Sequence, residues 1–364
     1  MLAKPRIIIA AISSRAYVQA AVKAGFEVIA IDTFCDMDTQ AQALQVWQVP
    51  AKNGSFDAVA FKAILAKIDS KNVLGMAIGA GFEAQPELLA SVSAAAIMPI
   101  FNAPNIVSAV NNPDSFFGFL ASINAPYPAT QYAKPKTSLA WVQKQIGGSG
   151  GAHIKPVLPL HLDEKSPVYY QQKCPGSPYG CLFLANGKQA QIIGVHQQWC
   201  VPSDAQPYRF GGAVSHAEIR QDIAAKIDIY VQAITRHFGL RGINSLDFML
   251  HNKAIYLLEI NPRLSASLQL YSAKKGDLFA AHVQACLGHP VDRPVIEKQS
   301  LAMHIIYANK SAHVPPNMPW PDWVCDIPQP NSEIAAGEPL CTVVASARTA
   351  KLAHKKVLQR ANEL

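Results

Sequence analysis

From Arg6 to Ile78, short apolar runs rich in β-formers alternate with stretches of helical spacing. Arg6–Ala11 is the first run, Tyr17–Ala24 is helical and stops at Gly25, and Phe26–Ile31 is a second run closed by Asp32. Phe56–Ile68 again has helical spacing, and Val73–Ile78 is a third apolar run. Such alternation predicts a parallel sheet flanked by helices, because parallel neighbours need a crossover between them. In open sheets of this kind ligands gather beyond the carboxyl ends of the strands. Three polar groups fall there: Ser13-Ser14-Arg15, Asp32 with Asp36 and Asp38, and Gly79-Ala80-Gly81-Phe82-Glu83. Turns also need serine and glycine; for Asp36 and Asp38 that reading weighs as much as a functional one. Dinucleotide binding with Asp32 on a ribose is disfavoured, since the first turn lacks GxGxxG.

The pattern changes near Phe101-Asn102-Ala103-Pro104, which sets an expected boundary for an N-terminal domain over 1–104. Asn112-Pro113-Asp114 reads as a helix start, with the helix over Ser115–Ile123. Leu139–Gln145 reads as a strand that enters a glycine loop, and Val168–Trp199 is strand-rich. A long amphipathic helix is expected over Ala217–Phe238, ended by Gly239. Asn244–Leu250 and Ala254–Ile260 form a strand–turn–strand pair around His251-Asn252-Lys253. Phe279–Leu287 is a further helix, and Cys341–Ala345 a late strand after a proline-rich stretch. The expected middle domain covers 105–298, in lobes of about 105–170 and 171–298, and a small β-rich unit covers 299–364.

At 364 residues, half of them hydrophobic, the chain can bury a large core and is too long for one small domain. No apolar run is long enough to cross a bilayer. Ile7–Ile12 is short and runs straight into Ser13-Ser14-Arg15, so it reads as a buried strand and not a signal peptide. A cytoplasmic protein is expected. The seven cysteines form no CxxC pair and no zinc spacing, which predicts free thiols. The net charge of +7 suits phosphates or carboxylates as ligands. It forms no basic arm, so nucleic acid is not the expected partner. A solvated basic surface explains the charge equally well.

The chemistry concentrates in Leu246–Arg263, which reads LDFMLHNKAIYLLEINPR. Glu259 and Asn261 are two residues apart on one strand and share a face. If the two strands pair through their short turn, Asp247 comes close to both. Two carboxylates and an amide oxygen are hard ligands that suit magnesium, which keeps waters and shares its shell with substrate phosphates. Arg263 can hold a phosphoryl oxygen through its planar fork. A plain hairpin with a wet polar face is the alternative; the abrupt stop at Pro262 speaks against it. Lys144 precedes Gly147-Gly148-Ser149-Gly150-Gly151, a run whose amides can wrap phosphates. No Gly-Lys-Ser/Thr closes it, so it is not a Walker loop.

The order Lys144, glycine loop, YYQQKCPG, Asp247, Glu259, Asn261, Arg263 resembles the ATP-grasp superfamily. It is most similar to the predicted ATP-dependent carboligases related to biotin carboxylase. The runs AISSRAYVQAAVKAGFEVIAID, DTFCDMDT, AIGAGFEAQPELL and DIPQPNSEIAAGEPLCTVVA carry that similarity, which covers nearly the whole chain. The resemblance implies an α/β and α+β protein: a Rossmann-like pre-ATP-grasp domain, two lobes that grip ATP, and a small C-terminal unit. Lys144 would bind phosphate. Gln172, Lys173 and Cys174 would form the hinge at the adenine, and Asp247, Glu259 and Asn261 would hold Mg2+, with Mn2+ an acceptable substitute. Arg263 would steady an acyl phosphate. Ser14, Arg15, Asp32, Gly81, Glu83 and Ser265 are the expected substrate residues; Arg15 and Glu83, at the carboxyl edge of the sheet, are placed to read the carboxylate and ammonium of an amino acid, with a surface ion pair as the plain alternative. The sequence departs from the family at Ser115, where a second phosphate lysine is common, and at Gln171, Gln172 and Ser177, where acids are common.

The implied activity is ADP-forming ligation of a small-molecule carboxylate to an amine through an acyl phosphate. No protein nucleophile is needed, in keeping with the lack of a Ser-His-Asp or Cys-His pattern. The specific expectation is glutamate joined to tyrosine or tyramine for a methanofuran-like one-carbon carrier. Alternatives are another amino-acid or dipeptide ligase, a biotin-carboxylase-like carboxylase, and a non-catalytic ATP-binding protein. A homodimer is compatible with the resemblance.

Overall fold

The computed structural model describes residues 4–136, 140–157, 167–271, 277–289 and 294–364. The start of the expected strand Leu139–Gln145 lies outside them; the strand is seen over Trp141–Gln145.

Isoleucine and valine runs buried on both faces make the N-terminal sheet parallel. Its five strands run in the order Gln45–Gln48, Glu27–Asp32, Arg6–Ala11, Val73–Ile78, Pro99–Ile100. All neighbours are parallel. Arg6–Ala11 is central, so the loops after Ala11, Asp32 and Ile78 open at one edge. Ile8, Ala10, Ile29 and Ile31 face a core with Phe56, Phe61 and Phe82. Those three rings lie 5.3–5.6 Å apart, at tilted and edge-on angles for two of the pairs. The helix expected over Phe56–Ile68 is shorter, Ala58–Leu65, because the Asp57 carboxylate caps it by accepting the Ala60 amide at 2.8 Å.

A small antiparallel sheet follows, in the order Ile154–Pro156, Trp141–Gln145, Val168–Gln172, Thr130–Gln131. The large sheet has eight antiparallel strands, in the order Ala254–Asn261, Arg241–His251, Ser177–Asn186, Ala190–Cys200, Phe210–Val214, Ser300–Tyr307, Pro339–Ala347, Val324–Cys325. Ser300–Tyr307 pairs with Phe210–Val214, so this sheet runs on through residue 299 without a break. The long helix spans Gln221–Phe238. Ile223, Ile227, Val231 and Ile234 recur at helical spacing and pack beneath the large sheet with Phe183 and Phe248. It starts four residues later than expected, since the Ala217 amide is still bonded to the Val195 carbonyl. Gly239, at φ 71°, closes it in the left-handed conformation that favours glycine.

Ile7, Ile9 and Ala11 share a core with Leu182, Leu184 and Phe279. The N-terminal sheet and the large sheet therefore pack on common side chains. Among the described residues, no helix is long and apolar enough to cross a membrane.

Candidate active site

A cavity of about 960 Å3 opens between the two antiparallel sheets and the carboxyl edge of the parallel one. Its chemistry begins on the two strands that flank His251-Asn252-Lys253. Asp247 stands opposite Glu259, and Ser245 opposite Asn261. The register slips by one residue after Asp247, a bulge of the kind that re-aims side chains. Asn261 Nδ2 donates to Asp247 Oδ2 at 3.0 Å, and Gln198 Nε2 donates to Asp247 Oδ1 at 3.0 Å. Lys144, brought from the small sheet, donates through Nζ to Glu259 Oε2 at 3.0 Å. Arg263 Nη2 donates to Asn261 Oδ1 at 3.0 Å, and its Nε donates to Glu83 Oε1.

The electrostatics follow from this crowding. Burial, then the neighbouring Glu259 charge, pushes Asp247 up to about 7. Burial works to raise Glu259 as well, yet Lys144, with His153 and Arg263, holds it below its ordinary value. Burial opposes the Lys144 charge, but Glu259 keeps it above the usual lysine value. Glu259 thus has a cationic partner in Lys144, while Asp247 is met directly by the amides of Gln198 and Asn261. Among the described residues, no group of three or more His, Cys, Asp and Glu converges on one point. A divalent cation here would have two carboxylates and the Asn261 oxygen as protein ligands and would need further oxygens, such as those of phosphates, to complete its shell.

The glycine loop lies across the cavity. Gly147, Gly150 and Gly151 have φ of 74°, 65° and 76°. A Cβ on Gly151 would also run into the Tyr208 carbonyl, so glycine is required there. The Gly150 carbonyl accepts the Phe210 amide at 3.0 Å, which ties the loop to the large sheet. Ser149, Gly150 and Gly151 line the main cavity. Gly147 and Gly148 instead line a second cavity of about 40 Å3 beside Glu83, Glu259 and Asn261.

Gln172, Lys173 and Cys174 line the cavity as expected residues of the hinge, with a qualification. The Gln172 amide is given to the Ala129 carbonyl and the Lys173 amide to the Ala140 carbonyl, each at 2.8 Å.

The expected substrate residues divide. Arg15 and Ser265 line the cavity; Ser14, Asp32, Gly81 and Glu83 do not. Asp32 is fully buried and accepts the amides of Ser14, Phe34 and Cys35 at 2.6, 2.6 and 2.7 Å, so it builds the turn after its strand. Ser14 is buried beneath the same turn. Gly81 gives its amide to Glu83 Oε2 at 2.9 Å, and the other Glu83 oxygen takes Arg263. Arg15 is held by Asp326, its Nε on Oδ1 at 2.9 Å and its Nη2 on Oδ2 at 3.0 Å. Arg15 and Glu83 thus each carry an ion partner of their own, and of the two only Arg15 lines the main cavity. Ser265 Oγ lies 2.6 Å from Ser267 Oγ.

Three residues of the site escaped the sequence reading. Gln198 shares a strand face with His196, and its alternation was a usable signal. His153 lies two residues past the glycine loop, with its ring against Gly148 and its Nδ1 3.3 Å from the Ser149 carbonyl oxygen. Asp326 lies 311 positions from Arg15 and gave no local signal.

Residues 116–267 match the ATP-grasp domain family. An uncharacterized protein of Methanocaldococcus jannaschii is 24% identical over 264 residues, 68% of this chain and 63% of that one. The biotin carboxylase domain of Hydrogenobacter thermophilus 2-oxoglutarate carboxylase, solved with MgADP, ADP and bicarbonate, superposes with a TM-score of 0.75 at 9% identity, covering 100% of this chain and 90% of that one. An L-amino acid ligase from Bacillus licheniformis gives a TM-score of 0.69 at 11% identity, covering 100% and 98%. The chain spans 37% of a Rhizobium etli pyruvate carboxylase chain, with a TM-score of 0.74 and 13% identity. Residues 116–267 thus match an ATP-grasp domain, and the chain as a whole shares the fold of these solved structures.

Proposed function

We propose that the protein is an ADP-forming ligase that activates a carboxylate as an acyl phosphate and joins it to an amine. The observation that carries this reading is the convergence of Asp247, Glu259 and Asn261 with Lys144 and Arg263 on one cavity. Lys144 and the glycine-loop amides suit the phosphates of ATP, and the Cys174 amide suits its base. Magnesium, when bound by Asp247, Glu259 and Asn261, would supply charge neutralisation at those phosphates. A substrate carboxylate oxygen attacks the γ-phosphorus, the bond to the bridging oxygen breaks, and ADP leaves. Arg263, beside Asn261, steadies the phosphoryl oxygens during that transfer. The amine nitrogen then attacks the acyl carbon, phosphate leaves with the bonding pair, and the nitrogen loses a proton. The glycine loop, tied to Phe210, keeps water from the acyl phosphate.

At the finer level, the reading is glutamate joined to tyrosine or tyramine in the making of a methanofuran-like carrier, in the cytoplasm, by a homodimer. Manganese would replace magnesium. The test is hydroxylamine trapping. Purified protein, ATP and magnesium are incubated with a panel of carboxylic acids that includes glutamate and bicarbonate. Hydroxamate together with ADP, for one acid, supports the ligase. ADP release with bicarbonate alone, and no hydroxamate from any acid, would replace it with a carboxylase.

A further inference from the structure

In the large sheet Ser177–Asn186 runs between Arg241–His251 and Ala190–Cys200. Its Gly180 stands opposite Asp247 on one side and His196 on the other. Directly opposed residues of an antiparallel sheet project from one face, so the three form a row. Glycine inside a strand marks a place where another group comes close. Here it leaves a notch, because a Cβ on Gly180 would run into the His196 ring and the Gln198 amide. Across that notch Gln198, two residues beyond His196 on the same face, donates to Asp247 Oδ1 at 3.0 Å. Gly194 makes a second notch on the same strand face, where a Cβ would run into the Tyr271 ring.

The polar atoms of this row admit one arrangement. Gln198 must turn Nε2 toward Asp247, since its Oε1 would meet a carboxylate oxygen there. The same Nε2 lies 3.3 Å from His196 Nε2, so that ring nitrogen has to accept. The ring proton then sits on Nδ1, which donates to the Tyr271 hydroxyl at 3.2 Å. His196 and Tyr271 are both buried, and burial holds the imidazole down at about 3, so it stays neutral. Tyr271 directly follows the short helix Ala266–Leu270, just beyond Arg263. The chain Tyr271–His196–Gln198 therefore ties that segment to Asp247. Asn261 holds the other Asp247 oxygen at 3.0 Å, so the carboxylate is fixed at both ends and each oxygen keeps a lone pair for a cation.

We propose that His196 is a positioning residue for the cation site: in its Nδ1–H form, locked by Tyr271, it fixes the Gln198 amide, which in turn holds the Asp247 carboxylate ready for magnesium. This rests on the reading of Asp247 as a magnesium ligand. Outer partners of this kind are worth about 10–100-fold in metal affinity. Two measurements on the full chain test it. Nitrogen NMR of histidine-labelled protein needs no ligand. With the His196 signals assigned from His196→Gln, it should show a neutral ring protonated at Nδ1 at neutral pH. The other tautomer or a charged ring overturns the proposal. The second measurement is calorimetric titration of ADP, with magnesium and with a chelator. The gain in affinity that magnesium gives should fall at least about tenfold in Gln198→Leu and about fivefold in His196→Leu, while ADP in chelator stays within about twofold of wild type. His196→Gln, whose amide oxygen can accept from Gln198, should come back to within about twofold of wild type, a rescue that a role in packing alone does not give. The double variant should lose no more than Gln198→Leu alone, because His196 acts through Gln198. Additive losses, or a His196→Gln as weak as His196→Leu, overturn the proposal. Asp247→Asn separates it from the reading beneath it. If magnesium gives wild type no gain, or Asp247→Asn keeps all of it, the metal reading falls and takes the proposal with it. If Asp247→Asn loses the gain while the Gln198 and His196 variants keep it, the proposal alone falls. Circular dichroism checks folding, and where His196→Leu fails to fold, the nitrogen spectrum and Gln198→Leu decide.

Discussion

Glu259 is the residue on which the site turns, since it faces Asp247 across the strand pair and Lys144 across the cavity. Glu259→Gln keeps volume and removes charge. Ligation should fall at least about a hundredfold while the circular dichroism spectrum holds, in line with the loss of a transition-state electrostatic contact. Asp247→Asn should behave alike, and wild-type turnover in both at saturating magnesium would take the metal reading away. Lys144→Ala should weaken ATP more than adenosine, measured by calorimetry, because only the phosphate contacts are lost. Asp36 gives a prediction in pH. Burial first, then neighbouring Asp326 and Asp32, raises it to about 6 against hydrogen bonds from Thr39. The folded state thus binds more protons than the unfolded one between pH 4 and 6. The Asp36 contribution to stability is fully present below its unfolded pKa and is lost as pH rises through about 6. Wild type should therefore lose more stability than Asp36→Asn between pH 5 and pH 7.5 in urea melts. Equal slopes would show that Asp36 titrates normally.

At the scale of elements, the strand pair around Asn252 was the most legible part of the sequence. Its turn is short, its alternation is regular, and Pro262 marks its end. What stayed hidden is the bulge after Asp247, because a one-residue slip leaves no mark in composition. The glycine run was legible as a loop, but its attachment to Phe210, some sixty residues on, depends on packing between sheets. That attachment can be tested at Gly151, where left-handed φ and the Tyr208 carbonyl both exclude a side chain. Gly151→Ala should push the loop off Phe210 and weaken MgATP at least about tenfold, the loss that ~1.4 kcal/mol of strain produces. Gly118→Ala, in open space on a helix, is the control and should leave the affinity unchanged. Asp32, by contrast, was legible as a polar residue at a strand end, but its part in building the turn was not. Three backbone amides claim its oxygens, and nothing local in the sequence announces them.

The molecule as a whole is bound together by side chains that belong to more than one sheet. Ile7 and Ile9 of the parallel sheet share a core with Leu182 and Phe279, and Arg15 reaches Asp326 near the other end of the chain. Heating should therefore unfold the parallel and large sheets in one calorimetric transition, and two separate peaks would contradict a shared core. MgADP should raise that transition through mass action, and a chelator should withdraw most of the gain. The Lys144–Glu259 contact has a consequence for how such ligands arrive. While the two side chains hold each other, a lone divalent ion meets an ammonium beside one of its two carboxylates. A lone nucleotide meets a carboxylate beside its lysine. The two ions repel the site separately and suit it together, so each should raise the affinity for the other. On the proposed function the site would behave as a lock with two keys, coupled through one charge pair across the gap between two sheets.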